Sequence, residues 1–322
     1  KGGAINWLGG HGDDSISGSN FTNNRCNDTN AGGGAIYWTA AAVIASGGLI
    51  QNSIFINNTA VHHGGAIDWY QARDSTINNC LFINNTAYGD GGALYTGDQR
   101  GNGHHLNMSN SQFYNNTAMK HGGAIANQMS DSWIYNNTFD GNKAMGSGGT
   151  IVMKEGPAVR SVIDHCYFYN SFVNQSYSGN RYGVGGGAIR IQDNHITISN
   201  CAIINSTVAK NYGGAISVDS SNVNTTIINV NIENVQTLYG EGGAIYWAGK
   251  NGHLDNVTIF NASSNTKGNE RTGDGGAIYL SGSNCELNEV RIYTSSSNNG
   301  NIGKTSNGGA ICVTGGSNTI NN

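Results

Sequence analysis

Apolar residues mark the chain at long, regular intervals and show no helical period. The motif Gly-Gly-Ala-Ile, or a close variant, begins eleven times at spacings of 26 to 38 residues. The copies start at Gly2, Gly33, Gly64, Gly91, Gly122, Gly148, Gly186, Gly213, Gly242, Gly275 and Gly308. Self-similarity at this period is typical of solenoids, in which each repeat forms one coil.

A second apolar motif follows each of the first ten copies after 17 to 22 residues. Its central residue, which we call the anchor, is Phe in six repeats and Ile in four, and an apolar residue stands five positions before every anchor. The anchors are Phe21, Phe55, Phe82, Phe113, Phe139, Phe168, Ile203, Ile232, Ile259 and Ile292. We expect them to stack in one inward column.

Asn dominates two predicted turns in each repeat. The residue two after the anchor, as at Asn57 and Asn84, is Asn in eight of ten repeats. Asn tolerates left-handed backbone conformations, and identical stacked amides form hydrogen-bonded ladders. Each repeat therefore predicts three short strands, with the segment from Leu81 to Ala87 as one of them.

These patterns predict an all-β fold: a right-handed, single-stranded parallel β-helix of about eleven coils of roughly 30 residues. One β-helix domain is expected to cover residues 1–322. Both ends of the sequence fall inside a motif, so we expect an internal fragment of a larger repeat protein.

The composition agrees with stacked coils. Gly accounts for 49 of the 322 residues, Pro for one, and charged residues for 11%. Like charges stacked about 4.8 Å apart would repel, which explains their scarcity. The net charge of −4 gives no reason to expect a nucleic-acid partner. No apolar run reaches the roughly 18 residues that predict a transmembrane span.

The alternating Gly-Gly-Ala-Ile and Phe-x-x-Asn motifs resemble the repeats of chlamydial polymorphic membrane proteins. The fuller form from Phe55 to Ile67 also looks like the adhesin-like proteins of methanogenic archaea. The resemblance implies secretion, an extracellular position at the cell surface, and a role in adhesion or envelope structure. It carries over no catalytic residue, so we expect no enzymatic activity and no cofactor.

Turn residues before the Gly-Gly pairs would stack between coils as candidate metal ligands. His63, Asp90 and His121 stand in successive coils, and imidazole with carboxylate suits a transition metal. Glu241 and Asp274 would suit Ca²⁺, and their spacing also fits a retaining glycosidase. The alternative is that all of them are solvated turn residues, with a weak surface pair between His63 and Asp90.

Aromatic residues follow the Ile of several copies. Adjacent strand residues point to opposite faces, so we expect the Trp column inside with the Ile residues and the Tyr column outside. The outward Tyr column comprises Tyr37, Tyr95, Tyr246 and Tyr279. Such a column would bind sugars by stacking, and ordinary surface aromatics of a sheet are the alternative.

Cysteines and glycosylation sequons add further candidates. Cys166 and Cys201 share an inward column in successive coils, which permits a disulfide, and buried free thiols are the alternative. Candidate glycosylation sites are Asn20, Asn27, Asn57, Asn84, Asn107, Asn174, Asn224 and Asn261.

The leading functional hypothesis is an extracellular adhesin-like or structural surface protein that acts through its outer surface. Its expected partners are further coils of the same protein, other copies of the chain, and cell-surface glycans or proteins. A polysaccharide lyase or glycoside hydrolase on the same scaffold is one alternative, and it would require clustered acidic or basic groups in an outward groove. A passive stalk is the other.

Overall fold

The chain folds as a parallel β-solenoid. The computed structural model describes residues 1–9, 14–39, 46–70, 73–97, 104–154, 160–174, 185–266, 273–299 and 307–321. Every regular element in these ranges is a β-strand. None of them contains a helix with the length and apolar character that crossing a membrane requires. The predicted all-β parallel solenoid is confirmed.

The first sheet contains eleven parallel strands, one for each Gly-Gly-Ala-Ile copy, stacked in chain order. They are Ile5–Leu8, Ile36–Thr39, Ile67–Tyr70, Leu94–Gly97, Ile125–Asn127, Ile151–Met153, Ile189–Ile191, Ile216–Val218, Ile245–Trp247, Ile278–Leu280 and Ile311–Val313. The glycines form the corner before each strand. Gly64 has a φ of 61°, and a Cβ there would collide with the carbonyl of Ile67, so this corner requires glycine.

The second sheet holds the remaining strands, in three series. The aliphatic strands are Ser15–Ser17, Ser46–Gln51, Arg73–Asn78, His104–Ser109, Trp133–Tyr135, Val162–Asp164, Thr197–Ser199, Glu286–Asn288 and Thr319–Asn321. The anchor strands are Asn20–Thr22, Ile54–Ile56, Leu81–Ile83, Gln112–Tyr114, Thr138–Asp140, Tyr167–Tyr169, Ala202–Ile204 and Arg291–Asn299. The short strands are Arg25–Cys26, Thr59–Ala60, Thr86–Ala87, Thr117–Ala118, Lys143–Ala144, Phe172–Val173 and Thr207–Val208. Thr226–Thr237 and His253–Thr266 run through all three positions of their coils.

The short strands were not predicted. The segment from Leu81 to Ala87 divides at Asn84, where φ is 54°. A left-handed residue turns the chain, so a new strand begins at Thr86, which pairs with Thr117 of the next coil. The predicted left-handed role of this Asn position is confirmed, but a coil of the first seven repeats has four strands rather than three.

The predicted inward columns are confirmed. The anchors are ladder partners from Phe21 through Ile292. The six Phe rings form a continuous stack, with 4.6 Å between the ring centroids of Phe82 and Phe113. In the first sheet, the Trp column also points inward, and the ring centroids of Trp38 and Trp69 lie 4.8 Å apart.

A buried amide ladder lies one residue beyond the predicted Asn turn. The side chains of Asn58, Asn85, Asn116 and Asn142 are fully buried. Asn85 Nδ2 donates to Asn116 Oδ1 at 3.0 Å and to the Phe55 carbonyl at 2.9 Å, and Asn85 Oδ1 accepts from the backbone and side chain of Asn58. Every polar atom of this amide is therefore paired inside the core, as a buried amide requires.

Candidate functional site

The predicted outward Tyr column is only partly exposed. Tyr37 and Tyr95 are buried, at 4% and 6% exposure, whereas Tyr246 and Tyr279 are half-buried. The ring of His63 stacks on Tyr95 at 4.3 Å between centroids, so side chains from the adjoining turns cover the outer face of the first sheet. The prediction that this column forms an open binding surface is wrong for Tyr37 and Tyr95.

Two ion pairs lie on that covered face. Lys154 Nζ lies 2.7 Å from Asp90 Oδ2, and Arg190 binds Asp219 through two nitrogens, at 2.6 and 3.1 Å. Arg190 also donates to Ser147 Oγ at 2.9 Å. These ion pairs connect different coils of the solenoid, and each charged group has the opposite charge as its partner.

The first candidate metal cluster does stack, but its ligand atoms are engaged. His63 Nδ1 accepts a hydrogen bond from the Asp90 backbone at 2.9 Å, and Asp90 Oδ1 accepts one from the His121 backbone at 3.0 Å. Burial lowers the pKa of His63 to about 3 and that of His121 to about 4, so both rings are neutral. Burial works to raise the pKa of Asp90, but Lys154, His121 and His63 together outweigh it and the pKa is lowered.

The second candidate pair lies in adjacent turns of the first-sheet corner, where the Gly242 backbone donates to the Asp274 carbonyl. Asp274 Oδ1 accepts a hydrogen bond from the Asn307 backbone at 2.7 Å, and Glu241 is partly exposed. Across the described ranges, no three His, Cys, Asp or Glu side chains are grouped so that they could hold a metal ion.

Asp68 occupies an unusual position on the covered face. It is 2% exposed, and its Oδ2 accepts a hydrogen bond from the Gly32 backbone at 2.9 Å. Burial raises the pKa of Asp68 to about 7, against the hydrogen bond from Gly32 and the charge of Lys1. The carboxyl therefore titrates near neutrality, which the sequence did not indicate.

The two candidate disulfide cysteines are free thiols in the structure. Both are buried, and the Cys166 backbone donates to Cys201 Sγ at 3.4 Å. A hydrogen bond with the neighbouring Cys166 thiol, followed by burial, raises the pKa of Cys201 well above its ordinary value. The pair therefore takes the alternative form, that of packed thiols in the core.

All eight candidate glycosylation sites are exposed: Asn20, Asn27, Asn57, Asn84, Asn107, Asn174, Asn224 and Asn261. Four of them, Asn57, Asn84, Asn224 and Asn261, sit in left-handed turns with φ values of 54°, 54°, 58° and 53°. Asn261 Nδ2 donates to Asn234 Oδ1 at 2.8 Å. Their exposure makes each accessible, and their modification stays a prediction.

An aromatic surface that the sequence did not indicate lies on the second sheet. Trp133, Tyr135 and Tyr167 are 53%, 36% and 44% exposed, and we call them the aromatic patch. The ring centroids of Trp133 and Tyr135 lie 5.9 Å apart, and His165 lies 5.4 Å from Tyr135. Alternation around the inward Ile134 places Trp133 and Tyr135 on the outer face, which was the available signal.

A polar pocket lies on the same corner, in the three coils just before the aromatic patch. It has a volume of about 270 Å³ and is lined by Asn52, Ser53, Ile54, Asn79, Cys80, Leu81, Asn110 and Gln112. The exposed amides continue as a ladder, because Asn79 Nδ2 donates to Asn52 Oδ1 at 2.7 Å and Asn136 Nδ2 donates to Asn110 Oδ1 at 2.8 Å. The predicted Asn ladder is confirmed for these pairs, and between them Asn110 Nδ2 donates to Asn78 Oδ1 at 2.9 Å rather than to Asn79.

Two segments of the chain, residues 79–97 and 110–128, match the family model for the Chlamydia polymorphic membrane protein repeat. Each begins at a turn Asn, passes through the Phe anchor and ends in or just after the following first-sheet strand. The predicted resemblance to this repeat is confirmed, whereas the likeness to methanogen adhesins stays a prediction. No curated protein matches the chain significantly.

Proposed function

We propose that this protein is an extracellular, adhesin-like surface protein that attaches through its outer lateral face. The single observation that carries the proposal is the aromatic patch, which a parallel solenoid holds open to solvent. Large exposed aromatic side chains on a rigid scaffold are typical of contact surfaces. The match to a surface-associated repeat family supports the cell-surface location.

The proposal excludes catalysis and a resident cofactor. A polysaccharide-cleaving site would need acidic or basic groups that can reach a substrate. On the covered face, Asp90 is paired with Lys154 and Arg190 with Asp219, and the corner carboxylates Asp140 and Asp164 lie in separate strands of adjacent coils. Glu241→Gln is the decisive variant, because cleavage of pectate or a neutral glucan that this change abolishes would replace the adhesin with an enzyme.

Attachment is tested with the whole chain. Fluorescently labelled protein is added to intact cells and to isolated envelopes of the source organism, and bound protein is measured against a labelled variant. Trp133→Ala is a suitable variant because this indole is 53% exposed and contributes little to the core. We expect saturable binding that the variant reduces. A chain that binds no cells, no envelopes and no second copy of itself would favour a passive stalk.

Surface exposure is tested separately by treating intact cells with a protease and following the protein by mass spectrometry. Peptides of a surface protein disappear while those of internal proteins persist. Binding to further coils of the same protein is the other proposed contact, and it is measured as reversible assembly by light scattering.

A further inference from the structure

The corner between the aliphatic and anchor strands carries two features that share one line along the rod. The polar pocket lies around Asn79 and Asn110, and the aromatic patch begins in the next coil at Trp133. Strand pairing connects them directly, since Met108 is the ladder partner of Ile134, and Gln112 is the partner of Thr138. We call the combined surface, from Asn52 to Tyr167, the corner surface.

The corner surface offers unused hydrogen-bonding capacity. A primary amide has two N–H donors and two acceptor lone pairs. The Asn79 and Asn136 side chains each donate one hydrogen bond to the amide oxygen of the Asn in the preceding coil, and both side chains are exposed. The ladder thus presents repeated donors and acceptors at the spacing of stacked strands, about 4.8 Å. Neighbouring hydroxyls on a sugar ring pair with amides of this kind.

The aromatic patch supplies the complementary apolar contact. Trp133 and Tyr167 project from adjacent coils on either side of the turn that contains Asn136, because Tyr167 is the ladder partner of Thr138. Their rings are exposed, so a flat apolar face can stack on them at little entropic cost. A pyranose ring has one such face, with hydroxyls around its edge.

Charge selects between kinds of sugar. Asp164, the ladder partner of Tyr135, accepts hydrogen bonds from His165, Ser199 and Asn200, and these outweigh burial and lower its pKa. Asp140 is the partner of Tyr169 on the other side of the turn. These carboxylates repel an anionic chain, while the ladder amides themselves are neutral.

We infer that the corner surface binds a neutral polysaccharide, with sugar rings stacked on Trp133 and Tyr167 and hydroxyls paired with the Asn ladder. The inference rests on the proposed attachment function and names the ligand class and the site of that attachment. Many modest contacts along a rigid line suit an extended chain better than a single small molecule.

The first test uses purified polysaccharides and does not depend on cells. The probes are soluble mannan, galactomannan and hydroxyethylcellulose as neutral chains, with pectate and alginate as anionic ones. Binding is followed by affinity electrophoresis and by iodide quenching of Trp fluorescence. Trp133 has a well-exposed indole, Trp7 is partly buried, and Trp38, Trp69 and Trp247 are buried, so protection of iodide-accessible emission that is lost in Trp133→Ala reports a ligand on the corner surface.

We expect at least one neutral chain to bind and to protect the emission. Trp133→Ala should weaken that binding about tenfold or more, and Trp133→Phe should restore part of it. Phe260→Ala is the matched control, because Phe260 is 49% exposed on the outer face of a distant coil. Circular dichroism confirms that each variant retains its strands.

The second test separates the site from the function. Envelopes that the protein binds are deproteinised, and their polysaccharide is divided by anion exchange into neutral and acidic fractions. Competition by the neutral fraction, lost in Trp133→Ala, supports the inference. Attachment that persists in Trp133→Ala, or competition by the acidic fraction alone, overturns the site and leaves the proposed function standing. Absence of binding to every neutral chain and fraction overturns the site, and absence of any attachment overturns the function itself.

Discussion

The two halves of the solenoid share one backbone register but have different cores. From coil 2 to coil 5, stacked Phe anchors lie beside a buried amide ladder at Asn58, Asn85, Asn116 and Asn142. From coil 8 onwards, the anchors are Ile, and the ladder position holds Val235 and then Ala262. Both segments that match the chlamydial repeat lie in the first half.

The difference shows which part of the repeat specifies the coil. The Gly-Gly corner and the apolar columns persist in both halves, so they are sufficient for the stacking. The amide ladder adds hydrogen bonds within the core, and in coils 8 and 9, where Val235 and Ala262 stand at its position, the strands Thr226–Thr237 and His253–Thr266 run through the turns. The Phe and Asn positions therefore add stability to coils whose stacking the Gly-Gly corner and the apolar columns already specify.

The largest expected effect is the loss of a Phe anchor. Phe82→Ala removes a fully buried ring that stacks on both neighbours, and should lower the free energy of unfolding by about 3–5 kcal/mol. Ile232→Val, at the same position in the second half, should lower it by about 1 kcal/mol. Urea unfolding measures both. Equal losses from the two changes would show that the halves do not differ in this column.

The amide ladder is the next test. Asn85→Ala removes the acceptor of the Asn58 backbone N–H and of one side-chain N–H of Asn58, together with a hydrogen bond to the Phe55 carbonyl, and should lower the free energy of unfolding by about 2–4 kcal/mol. Val235→Ala removes only methyl groups at the corresponding position and should cost about 1–2 kcal/mol. Hydrogen exchange resolved by coil would localise each loss. A smaller loss for Asn85→Ala than for Val235→Ala would contradict a stabilising ladder.

The covered face of the first sheet provides a pH test. The raised pKa of Asp68, about 7, means that the folded state holds a proton that the unfolded state releases near its ordinary pKa. This carboxyl's contribution to stability therefore declines as the pH rises from about 4 to about 7. Asp68→Asn should raise the free energy of unfolding by roughly 2 kcal/mol at pH 8 and change little at pH 4.

Ser217 lies in the same column of the second half and serves as the control for Asp68. Ser217→Ala removes a buried hydroxyl that does not titrate in this range, so its effect should be independent of pH. Urea unfolding across pH 4 to 8 measures both variants. A pH-independent effect of Asp68→Asn would disprove the raised pKa.

The smallest expected effect is a gain. Thr294 occupies the turn position that is Asn in most coils, and its φ is 55°. A β-branched residue is strained in this conformation, whereas Asn tolerates it. Thr294→Asn should raise the free energy of unfolding by about 1 kcal/mol. Asn84→Thr is the reciprocal change and should lower it by a similar amount, so equal stability of all three proteins would refute the argument.

Much of the fold follows from the sequence because parallel stacking repeats the same contacts at every coil. A column such as Phe82 with Phe113 is visible as a spacing, so the register could be predicted. The buried position of Asn85 could not, because the left-handed Asn84 interrupts the in-and-out alternation and reverses which residue points inward. The Asn-Asn pair in four consecutive repeats, followed by Gly-Asn in the fifth, was the signal in the sequence.

The candidate site was harder to predict. Sequence spacing correctly gave Tyr37 and Tyr95 an outward direction, but direction does not determine exposure when turn side chains fold over a face. The aromatic patch was missed for the opposite reason. Trp133 and Tyr135 belong to no repeated column, since their ladder partners are Val162 and Asp164. Residues that occur at a position in one coil only are not visible in a pattern of repeats.

The direction of the inter-coil hydrogen bonds has a mechanical consequence. These bonds run along the rod, so a tensile force on its two ends loads the coil interfaces in series, while the bonds within one interface share the load. The weakest interface then sets the breaking force of the whole rod. Interfaces that carry the buried amide bonds, as between Asn85 and Asn116, resist more than those at Val235 and Ala262. A rod under tension should thus break first at the interfaces of its second half. The coils of the first half would then stay folded at forces that unfold the second.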